Sequence, residues 1–205
     1  MTFPREILRS TAVLIGVLGA AVPAMSQTTY FNPETWAGNG HGYQVVTVAS
    51  GISWTDARDQ AASLGGYLVS IHSDAENDFV KSLVRANASL WSSGGYRGCW
   101  LGGYQQPGSA EPAGGWSWVS GEAWTYSAWG AGEPNNAAGY EHVLEIMDFL
   151  GGYGQSSSVA WNDMSATGGN WGPMKTFVVE FQPVPAPGAG VALLAAGLIG
   201  RRRRN

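Results

Sequence analysis

The apolar residues of this 205-residue chain follow a helical period in two segments only, both before residue 90. Ser53 is placed to cap the first, with Asp56 at the third helical position, and Trp54, Ala57, Ala61 and Leu64 then share one face. Gly65-Gly66 supplies a left-handed stop, so a helix is predicted over 54–64. Ser73 and Glu76 open a second helix over 74–88, whose apolar face is Phe79, Val80, Leu83 and Val84. The other readable elements are strands, at 43–48, 67–71, 99–103, 143–147, 159–161 and 177–181. Segments 104–115, 130–140 and 147–158 are rich in Gly, Ser, Pro and Asn and are predicted as long loops, which in a compact domain are commonly functional. A strand, two helices and then several strands argue for one α+β domain, with no internal repeat and no linker between Tyr43 and Phe181.

Composition agrees with this reading. Thirty glycines and ten tryptophans, against only 13% charged residues, describe a loop-rich chain with an aromatic core. Both ends read as address segments rather than as fold. Arg5 and Arg9 precede an apolar run from Thr11 to Val22, and Ala24 and Ser26 have the spacing of a signal-peptidase site, so residues 1–26 are expected to be a leader cleaved after Ser26 or Ala24. The run is about half of the ~20 residues that a membrane-spanning helix needs. At the other end Val184-Pro185-Ala186-Pro187 leads into a small apolar stretch, Gly188 to Gly200, closed by Arg201 to Arg204. That stretch reaches only about 20 Å as a helix, short of a ~30 Å hydrocarbon core, so contact with the membrane would be transient. The order of proline motif, apolar run and arginine block resembles the PEP-CTERM sorting tail of Gram-negative bacteria, with Ala186 where that tail usually has glutamate. The resemblance implies export with signal peptidase and an exosortase as processing partners, and delivery to the cell surface or extracellular matrix. The expected organisation is leader 1–26, domain 27–182 with a core at about 43–181, and tail 183–205.

Between Gln27 and Pro183 there are five basic and fourteen acidic residues, a net charge of −9. Such a surface disfavours nucleic acid and anionic membrane as partners. The lone Cys99 has no internal disulfide partner and reads as a small buried hydrophobe.

Chemistry concentrates in two motifs, Glu133-Pro134-Asn135 and Trp161-Asn162-Asp163, with Glu141 between them. Glu133, Asn135, Glu141, Asn162 and Asp163 offer oxygen ligands only, which suits a hard cation such as calcium. Zinc would need Cys or His, and Cys99, His41, His72 and His142 form no suitable motif. An asparagine that gives its carbonyl to a cation keeps an NH2 donor, and a glutamate keeps an acceptor, so the same residues can also hold sugar hydroxyls. Glu141 and Glu145 fall on one face of a predicted strand, but no histidine is placed to complete an acid–base pair, and no enzyme is predicted. Trp54, Trp100, Trp118 and Trp161 read as core, whereas Trp91 and Trp171 are loop candidates for stacking on a sugar ring.

Taken in order, these residues resemble a C-type lectin-like domain. Trp54, Ala57, Gly65, Leu68, Ile71, Ser73, Glu76 and Phe79 are similar to the family's two-helix half, and Trp100-Leu101-Gly102 to its central strand. Trp116, Trp118, Gly121 and Trp129 match the run into its long loop, and Phe177-Val178-Val179-Glu180 its closing strand. The resemblance implies one calcium ion held by Glu133, Asn135, Glu141, Asn162 and Asp163. It places the sugar on Glu133, Asn135, Glu141 and Asn162, and makes the peptide bond before Pro134 cis. The Glu-Pro-Asn order implies sugars with equatorial 3- and 4-hydroxyls, of the mannose and glucose type, presented by extracellular polysaccharide. Ala61 and Val179, and Val143 with Ala166, stand where the family has half-cystines, and the stretch from Glu141 to Asn162 is longer than usual. Asn136 and His142 replace carboxylates that serve a second calcium in many members, and His142 is expected at the rim. An adhesion or structural module of the same fold, with calcium bracing the loop, is the alternative.

Overall fold

The computed structural model describes residues 27–183; the expected leader 1–26 and the expected tail beyond Pro183 lie outside the described residues. In chain order the elements are β1 Thr28–Tyr30, β2 Glu34–Thr35, β3 Gly42–Ile52, α1 Trp54–Ser63, β4 Tyr67–Leu68, α2 Asp74–Arg85, β5 Arg97–Gln105, β6 Trp116–Trp118, β7 Val143–Asp148, β8 Val159–Met164 and β9 Met174–Phe181. The main sheet runs β1-β3-β9-β5-β7-β8, with β2 on β3, β4 on β9 and β6 on β5. All pairings are antiparallel except β5 with β9, where Trp100 lies beside Phe177. Among the described residues no helix is long and apolar enough to cross a membrane.

Both helices start where their caps predict. Ser53 Oγ accepts the Asp56 N–H at 3.1 Å and Ser73 Oγ that of Glu76 at 3.2 Å. The second helix ends at Arg85, three residues early, because Asn87 turns its side chain onto the Ser89 N–H at 2.9 Å and starts a 3₁₀ turn. The strand predicted at 67–71 is reduced to Tyr67 and Leu68, paired with Glu180 and Val179: the Ser70 N–H is taken by the Glu180 carboxylate at 2.9 Å instead of a neighbouring carbonyl. Three short strands went unpredicted, β1, β2 and β6, each too brief to show an alternating pattern.

Two cores lie on either side of the sheet's centre. One gathers Trp54, Trp100, Phe177 and Val179 with Ala57, Ala61, Val143 and Met164. All four residues that replace half-cystines pack in or against this cluster, so apolar contact occupies the ground that bridges would hold. The other joins the α2 face to Trp116, Trp118 and Trp161. Trp118 stacks on Trp124 at 4.4 Å between centroids and meets Trp161 edge-on at 5.7 Å. Such offset and T-shaped pairs contribute beyond the area they bury. Trp91 belongs to this core as well: it is 4% exposed, with its indole N–H on the Val84 carbonyl, and is thereby corrected from a sugar-stacking candidate to a packing residue.

Candidate functional site

The aromatic core positions the long loop. Segment 128–130 runs along β8, with the Trp161 N–H on the Ala128 carbonyl at 2.9 Å and the Gly130 N–H on the Trp161 carbonyl at 2.8 Å. The loop turns back immediately, the Glu133 N–H reaching the Gly130 carbonyl at 3.0 Å. The Glu133-Pro134 peptide bond is cis, in accord with the resemblance; that of Glu111-Pro112 is cis too and carried no sequence signal.

Asp163 ties the two motifs together. One of its oxygens accepts the Asn135 N–H at 3.0 Å and the other the Asn136 N–H at 2.7 Å. Glu141 accepts the Ala137 N–H at 3.0 Å, and its own N–H goes to the Asn136 side-chain oxygen at 3.0 Å. Asn136 therefore braces the loop. His142 is exposed, with Nδ1 3.1 Å from the Gln105 amide oxygen.

The extra length between Glu141 and Asn162 does not separate the motifs. Strands β7 and β8 pair without a break from Val143↔Met164 to Asp148↔Val159, which confines the added residues to 149–158, at the far end of the hairpin. Asp148 organises them, accepting N–H groups from Leu150 at 3.1 Å and Gly154 at 3.0 Å and the hydroxyls of Ser156 and Ser158.

Glu133, Asn135, Glu141 and Asn162 line one cavity of about 280 Å³. Its floor includes an ion pair that the sequence reading did not identify as part of the site. Glu145 is fully buried, and one of its oxygens takes the Arg97 Nε–H at 2.8 Å, while the other takes the Asn162 side-chain N–H at 3.0 Å. The Asn162 carbonyl oxygen is thereby left for another partner. Arg97, the one charged residue of β5 and its first, was the signal that could have found this pair. Glu141 precedes β7 rather than lying on it, so the expected shared strand face of Glu141 and Glu145 is corrected to a shared cavity.

The carboxylates are crowded. Burial first, then the charge and hydrogen bond of Asp163, push Glu133 up to about 7. Burial pushes Glu141 to about 7 as well, against the Ala137 N–H, which favours its ionised form. Burial also raises Glu145, opposed by Arg97 and Asn162. One Glu133 oxygen is buried without any hydrogen-bond partner. Among the described residues no three His, Cys, Asp or Glu side chains form a metal-holding group by themselves, so a cation here would also need the two asparagine carbonyls.

The family model described as Lectin C-type domain matches residues 50–170. Ladderlectin of Oncorhynchus mykiss is 31% identical over 118 residues, which cover 58% of this chain and 54% of ladderlectin. C-type lectin domain family 4 member A of Mus musculus is 29% identical over 138 residues, 66% of this chain and 49% of the mouse protein. The chain thus spans about half the length of these two curated relatives. The galactose-specific lectin nattectin of Thalassophryne nattereri is 29% identical over 137 residues, 66% of this chain and 79% of nattectin. Among solved structures, the C-type lectin CEL-I of Cucumaria echinata superposes with a TM-score of 0.54 at 22% identity, covering 70% of this chain and 91% of that one. A herring type II antifreeze protein does so at 0.53 and 21%, covering 74% and 96%. Motif order, fold and family match agree, and the chain belongs to the C-type lectin domain family.

Proposed function

We propose that this domain binds carbohydrate in a calcium-dependent way through Glu133, Asn135, Glu141 and Asn162, with Asp163 completing the calcium ligands. The observation that carries the reading is their convergence on one cavity, which the Asp163 hydrogen bonds to the Asn135 and Asn136 N–H groups hold closed. The donor set fits calcium: it is all oxygen, it has a buried Glu133 oxygen in want of a partner, and Glu133 and Glu141 are held near 7 by burial and then by the charge of Asp163, which a divalent cation would oppose. Bound calcium would supply coordination for two vicinal hydroxyls. The chain's part is to orient them: each asparagine keeps an N–H to donate and each glutamate a lone pair to accept. The Glu-Pro-Asn order supports mannose- and glucose-type sugars, and an exported protein would meet them in extracellular polysaccharide. Its role is binding, with no catalytic step.

The herring antifreeze protein shares the fold, so the fold by itself does not fix the ligand. The second reading, a calcium-braced adhesion module, draws on the hydrogen bonds that already close the loop. A glycan array read with calcium and with EDTA separates the two. EDTA-sensitive binding to mannose-type glycans is expected; a calcium-induced rise in melting temperature with no glycan signal would favour the brace. Glu133→Gln combined with Asn135→Asp should move preference toward galactose.

A further inference from the structure

The cavity has a second kind of wall. Besides the oxygen-bearing residues it is lined by Met147, Phe149, Met164 and Trp171, none of which a cation or a hydroxyl pair requires. Trp171 is 56% exposed, whereas Trp54, Trp91, Trp100, Trp116, Trp118 and Trp161 are all buried. Its indole is presented by a backbone held from two sides. Arg97 Nη1 donates to the carbonyls of Gly168 at 2.8 Å and Gly172 at 3.2 Å, and the Ser93 hydroxyl donates to the Trp171 carbonyl at 2.6 Å. Gly168, Gly169 and Gly172 take left-handed φ values in this turn. The Tyr96 ring supports the indole at 6.3 Å. Phe149 is fixed as well, since it packs so close to Gly130 that a Cβ there would lie 2.4 Å from its ring.

A pyranose is itself two-sided, with hydroxyls at its rim and C–H groups on its face. An exposed aromatic on a rigid turn beside hydroxyl-binding oxygens matches that division, because aromatic rings offer large apolar area at little conformational cost. At about 280 Å³ the half-open cavity lies just below the usual range of about 300–1,000 Å³ for ligand sites, room for one ring with a neighbour at the open lip. We propose that the domain binds an oligosaccharide across two subsites, one ring on Glu133, Asn135, Glu141 and Asn162 and the adjacent ring with its C–H face on Trp171. The proposal rests on the carbohydrate reading above.

Calorimetric titration of the protein with D-mannose and α-linked mannobiose, and with glucose and cellobiose, all in calcium, tests it. The wild type should bind one disaccharide about tenfold more tightly than its monosaccharide, a gain of about 1.4 kcal/mol. Trp171→Ala should erase that preference, and Trp171→Phe should keep most of it. Calcium affinity measured without sugar, and the melting temperature, should stay unchanged in both variants. Equal affinity for mono- and disaccharide in the wild type, or a preference surviving in Trp171→Ala, overturns the second subsite and leaves the calcium-dependent lectin standing. A wild type that binds none of these sugars in calcium overturns both.

Discussion

Asp163 is the scaffold of the long loop, and the proposed function makes it a calcium ligand as well. Its two oxygens take backbone N–H groups from Asn135 and Asn136. Asp163→Ala would leave both amides without a partner, at roughly 1–3 kcal/mol for each that stays out of water. Partial exposure of the loop lowers the expected loss to about 2 kcal/mol in urea unfolding with EDTA, together with loss of calcium binding by calorimetry. Titration adds a second prediction at this scale. Glu133 and Glu141 are held up to about 7, above their ordinary 4.5, so the folded protein without calcium keeps protons that the unfolded chain has released. Its stability should therefore fall as pH rises from about 4.5 to 7. In EDTA the melting temperature at pH 5 should exceed that at pH 8. With calcium the order should reverse, because binding favours the ionised carboxylates; a calcium-loaded protein still more stable at pH 5 would count against these ligands.

At the scale of the element, the β7–β8 hairpin separates two tasks along its length. Its base carries Glu145 opposite Asn162 and Leu144 opposite Asp163, and its tip carries the 149–158 loop. Burial alone would raise Asp148, but hydrogen bonds from the Ser156 hydroxyl and from the Leu150, Ser156 and Gly154 N–H groups outweigh it and hold the carboxyl below its ordinary range. A depressed carboxyl contributes stability above its unfolded value, and that contribution is lost as pH falls through the folded one. Asp148→Ala should cost roughly 2–3 kcal/mol through the orphaned loop amides. Hydrogen exchange should quicken at Leu150, Gly154 and Ser156, while calcium affinity changes less than threefold because the hairpin base remains paired. A large loss of calcium affinity would mean that tip and base are one unit. On the other side of β8, the backbone of Trp161 fixes segment 128–130, so the tryptophan cluster acts on the site through chain path rather than contact.

For the molecule as a whole, with no disulfide among the described residues, packing, hydrogen bonds and the buried Arg97–Glu145 ion pair hold the fold together. Cys99 is free and wholly buried, and burial pushes its thiol well above the usual range. Thiol reagents should label it only in denaturant, and reducing agents should leave the melting temperature unchanged; rapid labelling of the native protein would show that β5 opens. Much of this architecture was legible from residue order. Helix starts followed from Ser53 and Ser73, and the buried tryptophans from their motif places, because caps and apolar periods are local physics. The early end of α2 and the short pairing of β4 were not legible, since Asn87 and Glu180 take backbone N–H groups in competition with regular structure. The sequence by itself determined the family, an oxygen-only set of candidate ligands and the placing of Glu133-Pro134-Asn135 and Trp161-Asn162-Asp163 on separate segments. Only the tertiary structure decided that those segments meet, that the 149–158 loop touches their cavity through Phe149 without parting them, that Arg97 and Glu145 lie beside Asn162, and that Trp171 rather than Trp91 lines the cavity. Each of these depends on contacts between residues far apart in the chain, which strand register and burial fix and local pattern does not.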